Sequence, residues 1–226
     1  METNIRKTSE AEETNPFFVN VKIDAMAVLI FVVGIFTRIL RLESPNHVVF
    51  DEMHYGKYAS LYLKNTFFFD SNPPLGKMMI AFAGYLAGFD GKFTFDKIGQ
   101  EYPHEVPLWA LRFIPALCGS LMTPTVYLIM TELGLSYYAG GLAAFMVLFG
   151  QFGFCLELIL RINFLFADTA LLTQSRFILM ESIMMFFGLT ALLCVLKFRK
   201  TSGSPFSKAW FIWLSLSAFF MSAAFW

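Results

Sequence analysis

The chain has 226 residues, of which 57% are hydrophobic, 18% are aromatic and only 15% are charged, and phenylalanine alone occurs 28 times. Typical soluble domains are about 45–50% apolar and about 25% charged, so this composition excludes intrinsic disorder and argues against a soluble enzyme. Basic and acidic side chains balance at 17 each, which gives no net charge to attract nucleic acid. The composition therefore predicts an all-α protein that crosses a membrane several times.

The apolar stretches of the chain predict five membrane spans, because a spanning helix needs about 20 largely apolar residues. The predicted spans are residues 25–42, 107–131, 139–165, 172–196 and 210–226. Residues 1–24 carry three basic and five acidic side chains and lack the positive start of a signal peptide, so we predict a cytosolic tail. The third apolar run extends to Leu172, which leaves one long broken helix or two short segments as alternatives.

The charges of the loops predict the orientation in the membrane. The loop after the fourth span holds four basic residues and no acidic one, whereas the loop of residues 43–106 carries five lysines and eight carboxylates. By the positive-inside rule, the first loop is cytosolic and residues 43–106 are luminal. Arg38 and Arg41 then lie at the luminal end of the first span, as snorkelling anchors or as functional residues.

Two short helices are predicted within the luminal loop. Asp51 is placed to cap a helix that runs to about Lys64, with apolar residues at helical spacing that favour a position along the membrane surface. A turn at Asp70–Pro74 ends this element, and a second interfacial helix follows from Leu75 to Gly88, which is too short to span comfortably.

The candidate site residues each have a structural and a functional interpretation. Asp51 and Glu52 are a helix cap with a first-turn acid, or a functional carboxylate pair. His54 is a catalytic base or a hydrogen-bonded structural residue. Arg112 lies one turn inside a span, where a charge marks a site or a paired partner. Arg176 is a lipid-headgroup anchor or a phosphate contact.

The sequence offers no separate cofactor or metal site. The three cysteines, Cys118, Cys155 and Cys194, lie in apolar runs without metal-ligand spacing, which predicts buried free thiols and no metal. The chain also lacks a glycine-rich phosphate loop of the nucleotide-binding kind. An enzyme with these features is expected to take its donor from the membrane as a lipid phosphate.

Four segments, in order, resemble the protein O-mannosyltransferase family, and the likeness covers roughly residues 20–226. His47–Gly91 resembles the first luminal loop of the family, Leu108–Ser120 its second span and Thr173–Ser182 the start of its fourth. Ser204–Leu214 looks closest to the animal protein O-mannosyltransferase 1 branch.

This resemblance implies a multi-pass enzyme of the endoplasmic-reticulum membrane, with a helical bundle of the GT-C class. Such enzymes move mannose from dolichyl-phosphate mannose to Ser or Thr of luminal polypeptides, with inversion at the sugar carbon and no further cofactor. They work as pairs of related subunits, so a second protein O-mannosyltransferase is the expected partner.

The resemblance also implies roles for individual residues. Asp51 matches the loop carboxylate proposed as the general base, with Glu52 beside it, and Arg112 matches the essential arginine of the second span. Arg176 and Lys77 are weaker candidates for the donor phosphate, and His54 is a possible substrate contact.

The sequence departs from the family pattern in three ways. Asn72 stands where the family usually has His before the Pro-Pro pair. About 17 apolar residues near 149–166 look additional, and the MIR repeats and later spans of the family are absent, so we expect a fragment. The alternatives are a catalytically inactive truncated isoform, a membrane subunit that only pairs with a partner mannosyltransferase and, less favoured, a transporter or channel fragment.

Overall fold

The computed structural model describes residues 24–70, 73–148 and 175–225. Over these residues the regular structure is helical, apart from a single β-bridge between His47 and Glu101, which confirms the all-α prediction. The α-helices are α1 (Ala25–Ile39), α2 (Glu52–Leu63), α3 (Leu75–Leu86), α4 (Leu108–Glu132), α5 (Tyr137–Leu148), α6 (Glu181–Lys200) and α7 (Lys208–Phe225). A short 3-10 turn, Thr201–Gly203, links α6 to α7.

Three of these helices are long and apolar enough to cross a membrane. They are α4, α6 with the turn that follows it, and α7, whereas α1, α3 and α5 are shorter apolar helices. Helix α4 continues through Pro115 and Pro124 as one element. The predicted second and fifth spans correspond to α4 and α7 within two residues at each described end.

Two predicted boundaries differ from the structure. Helix α1 ends at Ile39 rather than at residue 42, because the chain turns there and Arg41 adopts a left-handed backbone with φ 54°. Helix α6 begins at Glu181 rather than at residue 172, since residues 175–180 form turns. The third predicted span lies largely outside the described residues, as do Asn72 and the additional apolar stretch; α5 covers only its first part.

Helix α4 is the centre of the packing. It contacts α1, α3, α5 and α6, while α7 packs on α6 and α2 packs on α3. The buried core joins α2, α3, α4 and the turn before α6 through apolar side chains that include Ala59, Ile80, Leu111 and Ile178. This core fixes the start of α2, which carries the two predicted catalytic carboxylates, against the first turn of α4, which carries Arg112.

The opposite ends of α4 and α6 are joined by an ion-pair cluster. Glu132 at the end of α4 binds Lys197 at 2.8 Å and Lys200 at 2.6 Å. Both lysines belong to the segment predicted to be cytosolic. Because α4 begins near Arg112 and ends at Glu132, this cluster lies a full helix length from the predicted catalytic carboxylates.

We expect Gly56→Ala to destabilise the protein, because α2 meets the luminal loop there without room for a side chain. A Cβ atom at Gly56 would lie 2.2 Å from the ring of Phe95, which is itself 1% exposed. Thermal unfolding in detergent measures the effect, and Gly188→Ala is the matched control because a Cβ there meets nothing within 4 Å. Equal stability of both variants would contradict the close approach.

Candidate active site

The centre of the site is an ion pair between Glu52, in the first turn of α2, and Arg112, in the first turns of α4. Nε of Arg112 donates to Oε1 of Glu52 at 2.8 Å, and Nη2 donates to Oε2 at 2.9 Å. Both side chains are fully buried. This bidentate geometry is the strongest form of an arginine–carboxylate contact.

The Glu52 carboxylate accepts three further hydrogen bonds. The backbone N–H groups of Val49 and Ile178 donate to its carboxylate at 3.1 and 3.0 Å, and the Tyr102 hydroxyl donates to Oε2 at 3.3 Å. Burial, more than the nearby Glu52 charge, raises the pKa of Tyr102 above its usual range, so the hydroxyl remains a donor. Glu52 therefore holds together α2, the loop that contains Tyr102 and the turn before α6.

The Arg112 guanidinium also forms hydrogen bonds with backbone carbonyl groups through Nη1, the nitrogen that does not contact Glu52. Its Nη1 donates to the carbonyl oxygens of Leu42 and Pro45 at 3.1 and 2.9 Å. Removing one member of such a buried pair leaves an uncompensated charge, which is strongly destabilising. The contacts of Arg112 thus fix the chain between α1 and α2, and its predicted phosphate contact stays a prediction.

Asp51 precedes this pair and has a different environment. It is half-buried at the start of α2, with a helical backbone (φ −74°, ψ −10°), and its side chain makes no capping hydrogen bond. Asp51 therefore occupies the predicted N-cap position, with Glu52 in the first turn, but its side chain forms no cap, because a capping side chain typically needs an extended backbone to reach the N–H groups of the first turn. His54 lies one turn further on and is exposed.

A second carboxylate lies beside this turn of α2. The Tyr55 hydroxyl donates to Oε1 of Glu181, the first residue of α6, at 2.8 Å. Burial, the hydrogen bond to Glu181 and the negative charges of Glu181 and Asp51 all raise the pKa of Tyr55 above its usual range. The carboxylates of Glu181 and Asp51 therefore both favour the protonated form of the Tyr55 phenol.

Lys77, a predicted phosphate contact on α3, is buried against the luminal loop. It forms an ion pair with Asp70, and its ammonium lies 4.9 Å from the centre of the Tyr58 ring, a cation–π contact. The pair closes the loop between α2 and α3.

Arg176 contacts the other side of the site. Its Nη2 donates to the carbonyl oxygens of Leu40 and Arg41 at 3.1 and 3.2 Å, so the half-buried guanidinium supports the turn that follows α1. Two arginines, Arg112 and Arg176, therefore hold the carbonyl groups of the same turn.

The two arginines at the end of the first span have different surroundings. Arg38 is 1% exposed and donates to the carbonyl of Val147 at 3.2 Å, which rules out the snorkelling interpretation for this residue. Arg41 is exposed and lines an open groove of about 630 Å³, together with Asn46, Tyr102 and His104. Tyr102 thus lines the groove and also bonds Glu52 through its hydroxyl.

Sequence reasoning missed three residues of this site: Tyr55, Tyr102 and Glu181. The one available signal is that Glu181, like Arg112, is a charged residue inside a predicted span. Cys118 and Cys194 are buried free thiols as predicted, and Cys155 lies outside the described residues. Within the described ranges, no three His, Cys, Asp or Glu side chains are grouped closely enough to hold a metal ion.

Comparison with protein families gives one match over most of the chain. The model of the dolichyl-phosphate-mannose-protein mannosyltransferase family matches residues 28–160 and 158–226. The two matched stretches meet within the region where additional apolar residues are predicted.

Three characterised proteins illustrate the similarity. Protein O-mannosyltransferase 1 of Drosophila melanogaster is 40% identical over 97% of this chain and 22% of its own length. Protein O-mannosyl-transferase 1 of Homo sapiens is 42% identical over 92% of this chain and 26% of its own length. Protein O-mannosyl-transferase 2 of Danio rerio is 38% identical over 87% of this chain and 23% of its own length. The chain thus spans about a quarter of the length of these relatives.

A solved structure shares the arrangement of helices. The S. cerevisiae protein O-mannosyltransferase Pmt1-Pmt2 complex bound to the sugar donor matches with a TM-score of 0.76 and 27% identity. The match covers 92% of this chain and 26% of the yeast chain.

Proposed function

Because the chain belongs to the dolichyl-phosphate-mannose–protein mannosyltransferase family, we propose that it transfers mannose from dolichyl-phosphate mannose to Ser or Thr hydroxyls of polypeptides in the endoplasmic-reticulum lumen. The family resemblance is confirmed, and the described helices are part of a multi-pass membrane fold of the GT-C class. The observation that carries the proposal is Asp51, a half-buried carboxylate without a capping bond, fixed beside the closed Glu52–Arg112 pair.

Asp51 is the proposed general base. A Ser or Thr hydroxyl is a poor nucleophile until a carboxylate within hydrogen-bond reach takes its proton. The oxygen then attacks C1 of the mannose from the face opposite the phosphate, the bond from C1 to the phosphate oxygen breaks, and dolichyl phosphate leaves with the electron pair. Direct displacement of this kind inverts the configuration at C1.

Glu52 and Arg112 are proposed to act through the position of Asp51. Their contacts join the first residue of α2, which follows Asp51, to α4 and to the turn before α6, so the base is held on a rigid frame. A catalytic carboxylate needs such support, because a displacement of about 1 Å can cost about 100-fold in rate.

A cation near the departing phosphate would stabilise the charge that develops on it. Arg176 is the first candidate, because it is half-buried and not enclosed by a carboxylate among the described contacts. Arg112 and Lys77 remain further candidates, although each has a carboxylate partner. His54 is exposed one turn from Asp51 and is a candidate contact for the acceptor polypeptide.

A second protein O-mannosyltransferase is the proposed partner. The yeast structure that matches this chain is a complex of two such proteins, Pmt1 and Pmt2. A heterodimer of this kind would place both subunits in the endoplasmic-reticulum membrane, with access to the lipid-linked donor and to luminal polypeptides.

Mannose transfer in microsomes tests the proposal. Cells that express the full-length protein with a second protein O-mannosyltransferase provide the membranes, and labelled dolichyl-phosphate mannose is the donor. We expect label in a Ser- or Thr-containing peptide and none in the matched Ala peptide. Co-purification with the partner without any transfer would instead assign the chain the role of a non-catalytic subunit.

A further inference from the structure

The start of α6 holds two buried polar atoms that have no hydrogen-bond partner among the described residues. Oε2 of Glu181 and Oγ of Ser182 form no hydrogen bond in the described structure, and Ser182 is 1% exposed. Buried polar atoms of this kind are rare, because losing the bonds to water without replacement costs free energy. The open oxygen of Glu181 is therefore a candidate acceptor for a polar group of a bound ligand.

The other oxygen of Glu181 is held in place. Tyr55 donates to Oε1 at 2.8 Å, and Tyr55 follows Asp51 by one helical turn, with its backbone N–H bonded to the Asp51 carbonyl at 3.2 Å. The phenol therefore fixes the Glu181 carboxylate, and the negative charge of Asp51 also acts on this phenol. Its second oxygen is left as a preorganised acceptor.

The charge of this acceptor limits what it can bind. A carboxylate repels the donor phosphate, so the matching ligand is a neutral hydrogen-bond donor. A sugar offers several hydroxyl groups around the carbon where the reaction takes place, whereas the acceptor Ser or Thr has a single hydroxyl, which the proposed base already engages.

We propose that Glu181, held by Tyr55, is a substrate-binding residue that accepts a hydrogen bond from a hydroxyl of the transferred mannose. The inference rests on the proposed transferase activity and assigns the sugar-recognising group of its site. The Ser or Thr hydroxyl of the acceptor polypeptide could donate the same kind of hydrogen bond. The experiment therefore distinguishes the mannose from the polypeptide as the source of the hydroxyl.

The test combines a variant with altered donors. Glu181→Gln keeps the shape of the side chain and an acceptor for Tyr55, but replaces the open oxygen with an amide NH2. The wild type and the variant are assayed in microsomes with dolichyl-phosphate mannose and with donors that each lack one mannose hydroxyl. Glu132→Gln is the matched control, because it makes the same change at the far end of α4.

We expect the wild type to lose about 10- to 100-fold in kcat/KM with one of the deoxy donors, as for a hydrogen bond to a charged group. Glu181→Gln should lose a similar factor with the natural donor, mainly through a higher donor KM, and should no longer distinguish that deoxy donor. Tyr55→Phe, which frees the carboxylate without removing it, should give a smaller increase in donor KM.

Three results would overturn the assignment. If Glu181→Gln raises the KM for the acceptor peptide and leaves the donor KM unchanged, the hydroxyl that Glu181 binds belongs to the acceptor. Unchanged KM values and unchanged discrimination in both Glu181→Gln and Tyr55→Phe would leave only an ordered water at this position. If Glu181→Gln does not fold, an unchanged donor KM in Tyr55→Phe would have the same meaning. A wild type that transfers no mannose from the natural donor would overturn the proposed function itself, and this result is distinct from the three above.

Discussion

Asp51→Asn is expected to lower mannose transfer by about 100- to 10,000-fold, because an amide cannot take the proton of the acceptor hydroxyl. The side chain makes no capping bond, so the substitution should leave folding and membrane insertion unchanged. Transfer of labelled mannose from dolichyl-phosphate mannose to a Ser peptide measures the activity, and resistance to carbonate extraction measures insertion.

Asp90→Asn is the matched control for this experiment. Asp90 lies in the same segment of residues 43–106, is exposed, and pairs with Lys92 at 2.8 Å. Such surface pairs contribute little, so the variant should transfer mannose at the wild-type rate. Wild-type transfer by Asp51→Asn would remove Asp51 as the base and would direct attention to Glu181, the other carboxylate beside Tyr55.

Arg112→Ala is expected to cost about 3–5 kcal/mol of stability, because Glu52 would remain as a buried, unpaired carboxylate. The carbonyl groups of Leu42 and Pro45 would lose their donor at the same time. Transfer should fall below about a tenth of wild type, which corresponds to about 1.4 kcal/mol in the barrier. Heating in the presence of a thiol reagent reports the unfolding, since Cys118 and Cys194 are buried free thiols in α4 and α6.

Arg176→Ala separates this structural effect from a role at the phosphate. Arg176 also donates to backbone carbonyls of the turn after α1, but it is half-buried and has no carboxylate among its described contacts. We expect its loss to raise the donor KM with little change in thiol exposure. The reverse pattern, a stable Arg112→Ala with a raised donor KM, would show that Arg112 itself contacts the phosphate.

Local signals in the sequence were sufficient for several parts of the fold. The helical spacing of apolar residues after Asp51 predicts α2, and the turn before Pro73 and Pro74 predicts the start of α3. A charge inside an apolar span is costly, so Arg112 was expected to mark a site or a pair, and the structure gives it Glu52 as its partner. The two helices depend on residues close together in the chain, and the role of Arg112 follows from the cost of burying one charge.

The remaining contacts of the site depend on residues that are far apart in the sequence. Tyr55 and Glu181 are separated by 126 positions, as are Glu52 and Ile178. No local pattern specifies that α6 starts beside α2, because this follows from the packing of α2 on α3 and of α3 and α6 on α4. Asp51 lies at the N-cap position that its residue type favours, but the capping hydrogen bond is absent, because the backbone there is helical rather than extended.

The most direct test of the account is the anomeric configuration of the product. The full-length protein, purified with a second protein O-mannosyltransferase, is given dolichyl-phosphate mannose and a Ser peptide, and the sugar–peptide bond is analysed by NMR. Direct attack by a hydroxyl activated by Asp51 predicts a mannosyl peptide with the configuration opposite to that of the donor. A product with retained configuration, or an unmodified peptide, would contradict it.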